Sequence, residues 1–156
     1  MKISLNFQIK IKGHKPLICI WDLKDRSSKI VLKGALEKGI VNICFSPDGK
    51  RFAASSLDEE HNIVVYDIAA QIKARENPTK NFEKAGLIAC GKGSKAEIFD
   101  LKFSLDGKSL IAACNKEIYF IEIEEGKGLL KAKKGLFGKV APEPVMAIGF
   151  INNAVV

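Results

Sequence analysis

The residues of this 156-residue chain whose types could do chemistry are few: two histidines, four cysteines, a glycine-lysine run, two clusters of acids and one lysine-rich stretch. Nucleophilic catalysis needs a histidine beside a hydroxyl or thiol held at a sharp turn. His14 and His61 have neither a Gly-x-Ser-x-Gly motif nor a Cys/His pairing near them, and read as surface or turn histidines. The run GLIACGKG (86–93) nearly matches the phosphate-binding pattern Gly-x4-Gly-Lys-Ser/Thr. It fails because Gly93 stands where a hydroxyl must hold magnesium, and because the apolar residues between its glycines make a strand where the motif needs a loop entering a helix. Asp58-Glu59-Glu60 and Glu122, Glu124, Glu125 lack the calcium-loop spacing Asp-x-Asp-x-Asp-Gly and read as solvated loop acids. Cys19, Cys44, Cys90 and Cys114 sit singly in apolar runs without zinc or redox spacing, and read as buried thiols. No catalytic, cofactor-binding or metal-binding residue is expected, and no cofactor.

The most informative charged stretch is GKGLLKAKKGLFGK (126–139), with five lysines, no acid, and Leu136 and Phe137 at a glycine-flanked tip. Lys127, Lys131, Lys133, Lys134, Phe137 and Lys139 are therefore candidate partner-binding residues, each lysine adding a screened attraction to an acidic protein surface. The same lysines could instead fringe an outer strand and discourage edge pairing. Net charge is +7, which suits an acidic partner or serves solubility alone. Nucleic acid is disfavoured because the lysines lack an aromatic stacking platform.

The elements that must position these residues repeat. FSPDGK (45–50) returns as FSLDGK (103–108), 58 positions later. Before each turn an alternating strand is expected, with Val41, Ile43 and Phe45 on one face in the first copy and Phe99, Leu101 and Phe103 in the second. After each turn come RFAASS (51–56) and SLIAAC (109–114), whose small residues let a neighbouring layer approach. A third strand appears three times, as LICIWDL (17–23), NIVVYDI (62–68) and EIYFIEI (117–123), apolar on both faces up to its acid, as for a strand sandwiched between sheets. Weaker fourth strands follow in KIVLKG (29–34), GLIACGKG (86–93) and LLKAKKG (129–135), and PVMAIGFI (144–151) reads as the first strand of a further unit. Helical repeats are excluded, because only IAAQIKARENP (68–78) could make a short helix, stopped by Pro78. The amino-terminal MKISLNFQIKIK has strand periodicity and lacks the continuous apolar block of a signal peptide, and no run approaches 18 apolar residues. An intracellular home follows as the expectation.

Four short strands per unit with an aromatic-acid pair ending the third is the pattern of a WD-repeat β-propeller blade. On KPLICIWDL, on GIVNICFSPDGKRFAASSLDEEHNIVVYDI with its Leu57-Asp58 and His61-Asn62 steps, and on IYFIEI, GLLKAKKGLFGK and PVMAIGF, the chain resembles the echinoderm microtubule-associated protein family over roughly residues 13 to 150. It departs from WD repeats in lacking their Gly-His step, since GALEKGI (34–40) and GKGSKAEIF (91–99) hold no histidine. Asp58 takes the loop-acid position in one unit and Asn115-Lys116 replaces it in the next, so Asp58 is expected to bond amides of its own turn.

The expected fold is all-β, a partial WD-repeat propeller of about three four-stranded antiparallel units. One blade ends over 1–34, a second spans 35–93, a third spans 94–135, and a further one starts at 136–156. Other chains or missing blades are needed to complete it. The resemblance implies a non-enzymatic binding or scaffold protein of the cytoplasm and cytoskeleton, in a cilium or spindle, with tubulin and microtubules as partner and no membrane. A general WD-repeat scaffold without tubulin contact is the alternative.

Overall fold

The computed structural model describes residues 3–8, for which only the backbone course is given, together with 16–76, 84–151 and 154–156. It is mostly β. Strands β1 (Ile3–Gln8), β2 (Leu17–Asp22) and β3 (Ser28–Lys33) form an antiparallel three-stranded sheet. Two four-stranded antiparallel meanders follow in chain order. The first holds β4 (Ile40–Phe45), β5 (Arg51–Ser56), β6 (Ile63–Asp67) and β7 (Leu87–Gly91). The second holds β8 (Ile98–Phe103), β9 (Ser109–Cys114), β10 (Glu117–Glu124) and β11 (Leu129–Lys134). A parallel pairing of Leu129 with Cys90 links the outer strands β7 and β11, so the eight strands run in one ladder whose free edges, β4 and β8, lie close together. A short hairpin, β12 (Phe150–Ile151) with β13 (Ala154–Val155), comes last.

Local chemistry explains why the repeated turns form. Asp48 Oδ1 accepts from the Ser46 hydroxyl at 2.6 Å and the Lys50 amide at 3.1 Å, the Arg51 amide donates to Ser46 Oγ at 3.0 Å, and Gly49 takes φ +69°. The second turn repeats every feature: Asp106 Oδ1 accepts from Ser104 Oγ at 2.6 Å and Lys108 N at 3.0 Å, Ser109 N donates to Ser104 Oγ at 3.1 Å, and Gly107 takes φ +71°. Serine and aspartate satisfy the turn amides, and glycine takes the left-handed residue at no steric cost. The helix α1 (Ile68–Glu76) falls within the stretch read as helical; Asp67 caps it by accepting from the Ala70 amide at 2.7 Å. Pro78, like His14, lies outside the described residues.

The core has three layers. Ile18, Ile20, Ile30 and Leu32 of the three-stranded sheet pack against Phe52, Ala54, Val64 and Tyr66 of the first meander, where the Phe52 and Tyr66 rings stack at 5.4 Å. The opposite face of that meander, with Cys44, Ala53, Ile63 and Val65, packs on Ile98, Leu101, Phe103, Leu110, Ala112 and Ile121 of the second. Asn42 Nδ2 crosses the junction to donate to the Ile98 carbonyl at 3.0 Å. Beyond it, Ile111 and Ala113 carry Ile148, with Val145, Phe150 and Val155 alongside.

Three expectations change. The first strand of each unit does not alternate strictly, because the register shifts between Ile40 and Asn42 and again between Ile98 and Asp100, bulging the strand at Val41 and Phe99, 58 positions apart. Ile98, not Phe99, therefore joins Leu101 and Phe103 in the core. The third strands are buried on both faces only where a sheet lies on both sides: β6 is, but β2 keeps Cys19 and Trp21 half-exposed and β10 leaves Phe120 exposed. In PVMAIGFI only the last two residues pair as a strand; the Val145 amide donates to the Cys114 carbonyl at 3.1 Å and the Ile148 amide to Asp100 Oδ2 at 3.0 Å instead.

Candidate functional site

The lysine-rich stretch divides into a strand and a loop with different environments. Lys131, Lys133 and Lys134 lie on β11, whose antiparallel pairing sets Lys131 opposite Glu122, Lys133 opposite Phe120 and Lys134 opposite Tyr119. Lys133 Nζ bonds Glu122 at 2.7 Å and Lys134 Nζ bonds Glu117 at 2.5 Å. Lys127, in the single 3-10 turn Glu125–Lys127 between the two strands, reaches Glu124 at 3.2 Å. The stretch contains no acid, but the partner strand supplies them. The Lys133 hydrogen bond holds the Glu122 carboxyl below its usual range, and Lys134, then Tyr119, do the same for Glu117. Lys133 and Lys134 thus belong to a cross-strand ion-pair ladder and Lys127 to a local pair at the turn, while Lys131 only adds its field to Glu122.

The loop after β11 is different. Gly135 donates to the Ile118 carbonyl at 2.7 Å, pinning the loop's start against β10, and an added Cβ there would lie 2.5 Å from Ile118 Cγ2. Val140 then closes a turn by donating to the Phe137 carbonyl at 3.2 Å, with Gly138 at φ +64°. Phe137 is half-buried, whereas Leu136 is 95% exposed, and Val140 and Lys139 are also exposed. Among the described residues Lys139 makes no ion pair. Leu136, Lys139 and Val140 thus form an apolar and basic projection held on a hydrogen-bonded base. The residues the sequence reading missed are the compensating Glu117, Glu122 and Glu124, and Val140. The hairpin itself was the available signal, since the 125–128 turn sets Glu122 beside Lys131.

The remaining candidates for chemistry are structural or solvated. Asp58 accepts from the Glu60 amide at 3.0 Å, the Asn62 amide at 3.2 Å, the Asn62 side chain at 3.0 Å and the Ser56 hydroxyl, as expected of an acid serving its own turn. Burial opposes its ionisation, yet the hydrogen bonds from Ser56 and Asn62 outweigh this and hold its carboxyl below the usual value. His61 sits at φ +43° with Nδ1 2.8 Å from the Ser94 carbonyl. Residues Leu87–Gly91 of the glycine-lysine run form strand β7, and Gly93 just past it lies so close to His61 that an added Cβ would be 2.5 Å from its carbonyl oxygen. Among the described residues no group of three or more His, Cys, Asp and Glu side chains is placed to hold a metal ion.

The cysteines divide by layer. Burial pushes the Cys44 thiol up to about 12 and that of Cys114 up to about 11. Cys19 is half-buried and Cys90 is exposed, correcting the reading of four buried thiols: Cys90 lies on β7, the outer strand of its meander. A cleft of about 550 Å³ beside Cys90 is lined by Leu36, Lys38, Glu60, Val64 and Lys92. No helix among the described residues is long and apolar enough to cross a membrane. Comparison with models of known protein families finds no match for this chain.

Proposed function

We propose that this chain is a non-enzymatic docking module, a partial WD-repeat β-propeller in which β4–β7 and β8–β11 are complete blades, and that it binds an acidic protein surface. The observation that carries the reading is the 135–140 loop: Leu136 is 95% exposed beside Lys139, which makes no ion pair among the described residues, on a base fixed by the Gly135 hydrogen bond. An apolar side chain held out in water on an ordered loop has little stabilising role within its own chain and suits burial against a partner. Rigid stacked sheets presenting variable loops are a common architecture for binding. The partner implied by the resemblance is the microtubule, whose acidic surface complements a net charge of +7, in the cytoplasm and cytoskeleton.

The pairing of Lys127, Lys133 and Lys134 with glutamates favours a second reading, a scaffold of another complex without tubulin contact, because charges already neutralised add little steering. Co-sedimentation with polymerised microtubules at two salt concentrations decides between them. Microtubule binding predicts pelleting at low salt that weakens as salt rises, and a several-fold loss in a Leu136→Asp, Lys139→Glu variant. No pelleting at low salt removes tubulin and leaves the scaffold.

A further inference from the structure

The cleft of about 550 Å³ beside Cys90 is lined by three segments from the interior of the chain. These are the 35–38 connection between β3 and β4, residues 58–64 from the β5–β6 turn into β6, and residues 90–92 at the end of β7. Hydrogen bonds tie the three together. The Leu57 amide donates to the Gly39 carbonyl at 2.8 Å, joining the connection to the turn, and the Gly93 amide donates to the Glu60 carbonyl at 3.2 Å, joining the turn to the end of β7. Lys92 Nζ lies 3.3 Å from Glu60 Oε2 across the same seam. Asp58 holds the turn itself by accepting from the Glu60 and Asn62 amides. The walls are thus set before anything enters, which lowers the ordering cost of binding.

The cleft also differs in charge from the chain around it. Its floor is apolar, formed by Leu36, Ile63 and Val64. Its lining otherwise carries Glu37, Asp58, Glu59 and Glu60 against Lys38 and Lys92, four acids to two lysines in a chain whose net charge is +7. Glu60 is engaged by Lys92, whereas Glu37 and Glu59 are exposed and make no ion pair among the described residues. Lys38 alone stands against the acids that remain, so the rim keeps an acidic excess. A long apolar stem with a cationic end suits both parts of such a cleft, and lysine and arginine have that build. An anionic group would meet the rim acids, and a wholly apolar insert would cut their charges off from water.

We infer that this cleft is a docking groove for an extended basic segment of a partner protein, with a lysine or arginine stem lying on Leu36 and Val64 and its cation at Glu37 and Glu59. The volume falls in the range of clefts that take ligands. The groove shares no residue with the 135–140 loop and is opposite to it in sign, so the chain offers separate surfaces to acidic and to basic partners. The inference is independent of the loop and of tubulin.

Fluorescence anisotropy of the whole chain with two short labelled peptides tests it, one of alternating leucine and arginine and one of alternating leucine and glutamate. The arginine peptide should bind and the glutamate peptide should not, although a net charge of +7 favours the reverse over the rest of the surface. Binding should weaken as salt rises, and Glu37→Gln with Glu59→Gln, both at exposed positions, should weaken it about five-fold while keeping the wild-type circular dichroism. Cys90 lines the cleft and is exposed, so a maleimide cap on its thiol, located by peptide mapping, should block the arginine peptide. No binding of the arginine peptide, or binding of the glutamate peptide in its place, overturns the groove. Arginine-peptide binding that survives either the Cys90 cap or the paired substitution at full strength overturns it as well.

Discussion

Phe52→Ala is the sharpest test of the layered stack. Phe52 is fully buried between the three-stranded sheet and the first meander, packed among Ile18, Ile20, Ile30 and Leu32 and stacked on Tyr66 at 5.4 Å with an interplanar angle of 11°. Emptying such a site costs about 3–5 kcal/mol, of which roughly 0.5–1.5 kcal/mol belongs to the aromatic pair. Against a total stability of about 5–15 kcal/mol and a urea slope near ~2 kcal/mol per M, the midpoint should fall by about 1.5–2.5 M. Phe52→Leu should cost under about 1.5 kcal/mol, because leucine already fills the equivalent site 58 positions on, Leu110. Double-mutant cycles locate the loss. Ile20→Ala shares the Phe52 cluster and should couple to it by about 0.5–3 kcal/mol, while Ile121→Ala lies in the next layer and should add to within about 0.5 kcal/mol. Coupling to Ile121 instead of Ile20, or equal costs for the alanine and leucine variants, would refute the packing order.

Gly93→Ala should destabilise by about 1–3 kcal/mol, lowering the melting temperature by several degrees, because its Cβ has only 2.5 Å to the His61 carbonyl oxygen; Gly126→Ala, with open space around it, should be near neutral. Asp58 ionises more readily folded than unfolded, so its contribution is present above the unfolded carboxyl range near ~3.9 and is lost as pH falls through its lower folded value. Asp58→Asn should therefore flatten the acid limb of a urea-midpoint profile run from neutral pH downward, and an unchanged limb would count against the role. Titration with an aromatic disulfide reagent should find Cys90 reacting first and Cys19 more slowly. Cys44 and Cys114 should react only on unfolding, since burial shields them and holds their thiols protonated.

The sequence by itself determined what depends on near neighbours. The Ser-x-Asp-Gly turns, the short helix within 68–78 and the strands β2 to β11 with their order along the chain were legible, because turn amides and glycine's left-handed φ are satisfied within five or six residues. Asp58 was read correctly for the same reason. Tertiary structure decided what depends on residues far apart in the chain. The bulges at Val41 and Phe99 turn the start of each first strand so that Ile40 and Ile98 meet neighbouring sheets, and no local pattern marks them. The lysines of 127–134 read as an uncompensated patch until the hairpin laid β10 glutamates beside them, and Cys90 read as buried until its strand proved to be the last of its meander, with no sheet covering that side chain. Burial and charge compensation are properties of pairs of surfaces, so a periodic apolar strand states that it can be covered on a face, and only the arrangement of the sheets decides whether anything covers it.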